Sequence, residues 1–142
     1  TFSACFGAPF MVHKPGSYAN LLKQKILRHR VNCWLVNTGW VGGPYGIGKR
    51  ISIRYTRGLL NAALEGVLDD IEYYTDPIFG FLVPKQCPGI PEDVLYPATS
   101  WSSEDAYMKK YRGLAGRFVD NFKKFEDGSE FIREIKLAGP KI

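Results

Sequence analysis

Five glycines and one proline crowd residues 39–48, and no other feature of the sequence restricts the fold as sharply. A backbone so poor in side chains must turn there or be closely approached by another group. Before it, Asn32-Cys33-Trp34-Leu35-Val36-Asn37 is a short apolar run rich in strand formers, which predicts a buried strand. After it, Ile51 and Ile53 alternate with Ser52 and Arg54, a second strand pattern running to Tyr55.

Helices are predicted around this break. Ser17, following Lys14-Pro15-Gly16, stands as an N-cap for a helix over residues 18–29, with Tyr18, Leu21, Leu22 and Ile26 inward and Lys23, Lys25 and Arg28 outward. Thr56 reads as the cap of a second helix carrying Leu59, Leu60, Ala63 and Leu64 and stopped by Gly66. Residues 67–89 read as an excursion over the core, with a strand at residues 78–83; five prolines between Pro77 and Pro97 forbid long elements there. Ser102 or Ser103 opens a third helix, with Glu104 and Asp105 in its first turn. Tyr107, Tyr111, Leu114, Phe118, Phe122 and Phe125 form an aromatic-rich stripe at helical spacing, expected to be buried, and a last helix covers residues 129–137. The expected class is α/β, a mixed sheet with flanking helices, with residues 1–142 making one domain or a partial domain. With 45% apolar residues the chain can build a core, which excludes a disordered class.

A net charge of +5 and a pI near 9.1 suit a polyanionic partner, whether nucleic acid or the phosphates of a nucleotide. Cys5, Cys33 and Cys87 are odd in number and lack C-x-x-C spacing, so neither a zinc site nor a disulfide framework is indicated, and reduced thiols in the cytosol fit best. No apolar run is long enough to span a bilayer, so no membrane partner is expected. The chain opens at Thr1 and enters an apolar run over residues 4–12, as the interior of a larger protein would.

Gly43-Pro44-Tyr45-Gly46-Ile47-Gly48-Lys49 fits the phosphate-loop spacing G-x-x-x-x-G-K. It departs from that motif twice. Arg50 stands where a magnesium-binding Ser or Thr is needed, and residues 51–53 read as extended where a helix N-terminus should meet the phosphates. A glycine-rich turn is the better reading. Beside it, Lys49, Arg50, Arg54 and Arg57 form a cluster of donors suited to an anionic, aromatic ligand such as a nucleotide, or equally to a solvated basic edge. His13 has no identifiable partner and reads as structural or solvent-facing.

In order and spacing, Phe2-Ser3-Ala4-Cys5-Phe6-Gly7-Ala8, Trp34-Leu35-Val36-Asn37-Thr38-Gly39-Trp40, Gly48-Lys49-Arg50-Ile51-Ser52-Ile53 and Tyr55-Thr56-Arg57 resemble the ATP-dependent phosphoenolpyruvate carboxykinases. Ile78-Phe79-Gly80-Phe81, Gly89-Ile90-Pro91, Ser100-Trp101 and Ala138-Gly139-Pro140 extend the resemblance along the whole chain. The resemblance implies the C-terminal part of a mononucleotide-binding domain. The implied reaction is gluconeogenic, converting oxaloacetate and ATP to phosphoenolpyruvate, CO2 and ADP in the cytoplasm, with Mg2+ and Mn2+. Carried over by position, Arg50 and Ile51 contact the nucleotide and Thr56 lies against the adenine. The family's phosphate loop, metal ligands and oxaloacetate-binding arginine belong to segments preceding Thr1, so this segment carries no catalytic or metal-binding residue and depends on the missing N-terminal portion. A small basic α/β module that binds nucleic acid without catalysis is the competing class, and the burial expected for the aromatic stripe argues against it.

Overall fold

A computed structural model describes Phe2 and residues 6–142. The Ser3-Ala4-Cys5 part of the opening motif lies outside the described residues. The first long helix, α1 (Pro15–His29), starts three residues earlier than expected. Pro15 occupies the first turn, where its missing N–H costs nothing, and Lys14 rather than Ser17 is the N-cap residue. The helix ends where Arg30 turns left-handed, at φ 51°.

Residues 32–37 do not form the predicted strand: they belong to no helix, turn or bridge, because no strand among the described residues lies beside them. The glycine-rich segment instead closes a small antiparallel hairpin of β1 (Trp40–Val41) and β2 (Lys49–Arg50), paired Trp40 to Arg50 and Val41 to Lys49. The strand predicted to run from Ile51 to Tyr55 is also corrected. Ser52 Oγ accepts the Tyr55 N–H at 3.2 Å and starts α2 (Ile53–Leu64) at Ile53, so Ser52, not Thr56, is the cap. A two-isoleucine alternation is too short to distinguish a period of 2 from the first turn of a helix.

After α2, Gly66 (φ 73°) turns the chain and carries Leu68 into the core, only 2% exposed. Residues 67–89 therefore supply core, with Ile78 and Cys87 also buried, rather than only covering it. The ribbon of β3 (Tyr73–Thr75) and β4 (Leu82–Pro84) is antiparallel, and its strand begins at Leu82 rather than Ile78. The reason is Asp76: its carboxylate accepts the N–H groups of Ile78 and Phe79 at 3.0 and 2.6 Å and holds residues 76–79 in a turn. Short α3 (Glu92–Leu95) and a 3-10 turn at Pro97–Ser100 fit the proline-rich stretch. Then α4 (Glu104–Phe122) begins under a Ser103 cap, one of the two serines expected to open it, and gives way to a 3-10 turn at Lys123–Phe125, so Phe125 lies past its end; α5 (Glu130–Leu137) starts under a Ser129 cap, one residue later than expected.

The class is α/β, and the sheet part consists of two separate two-stranded antiparallel ribbons. The central cluster joins Ala62, Leu68, Cys87 and Leu95, with Trp34, Leu59 and Tyr96 against it. On α2, Leu59, Ala62 and Ala63 face this cluster, while Leu64 is exposed. The aromatic stripe of α4 is half-buried rather than buried. Phe79 bridges to Tyr111 and Phe118, each with centroids 5.4 Å apart, but Phe118 keeps an exposed edge. No helix among the described residues is long and apolar enough to cross a membrane.

Candidate nucleotide-contact segment

The segment carrying Arg50, Ile51 and Thr56 is built by the hairpin and the start of α2. Within the hairpin, Ile47 and Gly48 donate their N–H groups to the Pro44 carbonyl at 3.0 and 2.9 Å. Gly48 is required there. A Cβ at that position would lie 2.3 Å from Gly43 O and 2.8 Å from Val41 O, inside backbone that cannot yield. One residue past β2, the Ile51 N–H donates to Gly39 O at 3.0 Å, which ties the hairpin's two ends together. The near-match to a phosphate loop is therefore a hairpin turn followed by strand, and only at Ile53 does a helix begin.

Arg50 projects from β2 in solvent, and among the described residues Lys49, Arg50, Arg54 and Arg57 have no carboxylate within ion-pair distance. Four unneutralised cations in nine positions favour an anion on electrostatic grounds. Thr56 is half-buried in the first turn of α2, where its N–H reaches Ser52 O at 3.1 Å. Because Ser52 performs the capping, the Thr56 hydroxyl is uncommitted among the described residues.

The three residues named from sequence do not line one cavity. Ile51 lines a wide apolar groove, whereas Arg50 and Thr56 line neither that groove nor its smaller neighbour. The smaller one, about 520 Å³, brings Arg54, Arg57 and Asn61 of α2 opposite Pro88, Gly89 and Ile90. Sequence reasoning missed that juxtaposition. Its signal was Gly58, a glycine in mid-helix that weakens the helix and so marks a close approach: a Cβ there would lie 2.9 Å from Ile90 Cδ1.

No three His, Cys, Asp or Glu side chains gather as a metal site among the described residues. His13 is exposed, with its ring 6.0 Å from that of Tyr18.

A family model described as phosphoenolpyruvate carboxykinase matches residues 1–93. The chain is 51% identical over 139 residues to phosphoenolpyruvate carboxykinase (ATP) 1 of Moorella thermoacetica, covering 98% of this chain and 26% of that protein. The phosphoenolpyruvate carboxykinase (ATP) of Brucella anthropi is 51% identical over 142 residues, and that of Thermus thermophilus 48% over 141, again with 26% of each relative covered. The chain thus spans about a quarter of the length of the curated relatives it matches.

Proposed function

The chain belongs to the ATP-dependent phosphoenolpyruvate carboxykinase family, and from that premise we propose that it is a partial domain of such an enzyme, contributing one wall of its adenine pocket. The reaction served is conversion of oxaloacetate and ATP to phosphoenolpyruvate, CO2 and ADP, a gluconeogenic step in the cytoplasm that uses Mg2+ and Mn2+. Bound ATP supplies the phosphoryl group. The residues of this chain orient it: Arg50 lays its guanidinium along the base or donates to an anionic oxygen, Ile51 offers an apolar surface, and the Thr56 hydroxyl hydrogen-bonds the adenine edge. Positioning of this kind lowers the entropy cost of a reaction whose chemistry belongs to other segments.

The observation that carries the reading is the transfer of the capping role to Ser52, which leaves the Thr56 hydroxyl uncommitted, six positions along the chain from an unpaired Arg50. No residue of this chain is assigned to the metal ions.

Two measurements test the reading. The 142 residues alone are expected to give no metal-dependent production of phosphoenolpyruvate and weak or no ATP binding. In a full-length hybrid, with this segment replacing its counterpart in the Moorella thermoacetica enzyme, Arg50→Ala is expected to raise KM for ATP about 10- to 100-fold, the loss of one charge-assisted hydrogen bond. KM for oxaloacetate should move little. An unchanged KM for ATP rejects the assignment.

A further inference from the structure

The cavity between α2 and the turn at residues 88–90 takes no part in the nucleotide contacts assigned above. Its helical wall follows from spacing: Arg57 and Asn61 stand three and seven positions after Arg54, so the three side chains leave the helix within about 60° of one another. Thr56 leaves it about 100° or more from each of them, on another face. In the opposite wall the Ile90 N–H donates to Cys87 O at 3.1 Å and Gly89 takes φ 72°, a turn anchored by Cys87 in the central cluster. Gly58 sets the distance between the walls, since Ile90 Cδ1 comes within 2.9 Å of where a Cβ would stand.

The lining has two characters. Arg54, Arg57 and Asn61 bring hydrogen-bond donors, whereas Ile53, Pro88 and Ile90 bring hydrocarbon. No carboxylate lines the cavity, neither guanidinium forms an ion pair among the described residues, and the Asn61 amide is without a partner there. Glu65, the acidic residue beyond the end of the same helix, lies about two turns past Arg57 and pairs with neither arginine. The site thus holds a fixed charge of about +2. A phosphate monoester carries about −1.5 to −2 near pH 7 and offers three acceptor oxygens, whereas one carboxylate would neutralise half of that charge. At about 520 Å³ the cavity is of the size that takes a small organic ligand, so the apolar wall has a body to receive as well as an anion.

We propose that this cavity binds a small organic phosphate monoester at a site separate from the nucleotide contacts. Arg54, Arg57 and Asn61 hold the phosphoryl oxygens, and the apolar body of the ligand lies against Ile53, Pro88 and Ile90. Guanidinium forks suit such oxygens because their N–H groups donate in pairs. The proposal stands on the geometry of α2 and of the turn facing it and does not depend on the roles given to Arg50, Ile51 and Thr56.

Phenyl phosphate is the probe, titrated calorimetrically into the full-length hybrid with the Moorella thermoacetica enzyme while ADP and Mg2+ saturate the nucleotide site. The same titration is made on the 142-residue chain, which lacks the family's phosphate loop. Saturable binding of one equivalent is expected in both. Inorganic phosphate, which has no apolar body, should bind about tenfold more weakly, and benzoate, with half the charge, weaker by a similar factor. Arg54→Ala and Arg57→Ala should each raise Kd about tenfold. Lys49→Ala removes the same charge outside the cavity and should change Kd less than about twofold. Affinity should fall toward pH 5, where the probe becomes a monoanion with its second pKa near 6. Absence of saturable binding in the hybrid overturns the proposal, as does benzoate binding as tightly as phenyl phosphate. Equal losses for Lys49→Ala and Arg57→Ala overturn it too, since diffuse attraction would then account for the binding. An unchanged KM for ATP in Arg50→Ala would reject the nucleotide assignment and leave this site standing.

Discussion

At the scale of single residues, the clearest constraint is Gly48, whose hydrogen stands where any larger group would strike two carbonyl oxygens. Gly48→Ala is expected to destabilise the chain by about 1–3 kcal/mol through overpacking, read as a lower urea midpoint. A midpoint equal to the parent's would mean that the hairpin relaxes freely. The glycine cluster was conspicuous in the sequence, but which of its five members is indispensable was not, because the obstructing oxygens belong to Val41 and Gly43 across the turn. The tyrosines around Asp76 give a pH prediction. Burial first, and then the nearby Asp76 carboxylate, push Tyr74 up to about 12, and Tyr107 and Tyr111 are raised for the same reasons. Tyr111 also donates its hydroxyl to Asp76 Oδ2 at 2.6 Å. Below pH 10 these phenols are neutral in both states. Between pH 10 and 12 the unfolded chain loses its phenolic protons first, so it binds fewer than the folded one and stability falls as pH rises. Urea midpoints measured across that window should decline, and Tyr74→Phe should flatten the decline.

At the scale of elements, the start of α2 shows how a cap can be misread. Ser52 and Thr56 both suit an N-cap, and the sequence offers no local reason to prefer either. The structure chooses Ser52, because the hairpin delivers the chain in extended backbone (φ −65°, ψ 147°) at that residue. Ser52→Ala should therefore cost about 1 kcal/mol of stability, whereas Thr56→Ala should cost little and instead weaken nucleotide contact in a full-length hybrid. A larger stability loss for Thr56→Ala than for Ser52→Ala would contradict the assignment. The helices α4 and α5 were legible to within a few residues at their ends; for α4 a serine cap, an acidic first turn and a sustained 3.6-residue period agree with one another. The strands were not. Backbone pairing decides a strand, and the pairing partners of residues 32–37 are not written in their own side chains.

For the whole molecule, an unfolded chain of this mass exposes about 23,200 Å². Unfolding thus uncovers about 12,000 Å² from the observed 11036 Å², against about 16,000 Å² for a compact counterpart. The urea m-value is accordingly expected to be about a quarter lower than that of a compact protein of equal length, and an m-value at the compact level would speak against the open groove. Exposure of Leu21, Leu22 and Leu27 on α1 has the same origin: among the described residues α5 approaches this helix through the Lys23–Glu134 ion pair at 2.6 Å and at Gly16, beside Ile132, which leaves these leucines in solvent. By itself the sequence determined the family, the existence of the four longer helices and the position of the glycine-rich turn, because periodicity and motif spacing are properties of neighbours along the chain. Only the tertiary structure decided that the turn is a hairpin feeding a serine-capped helix, that Leu68 enters the core, and that Arg50, Ile51 and Thr56 point to different surroundings. Those outcomes depend on which residues distant in sequence meet in the fold, and neighbours along the chain do not specify that.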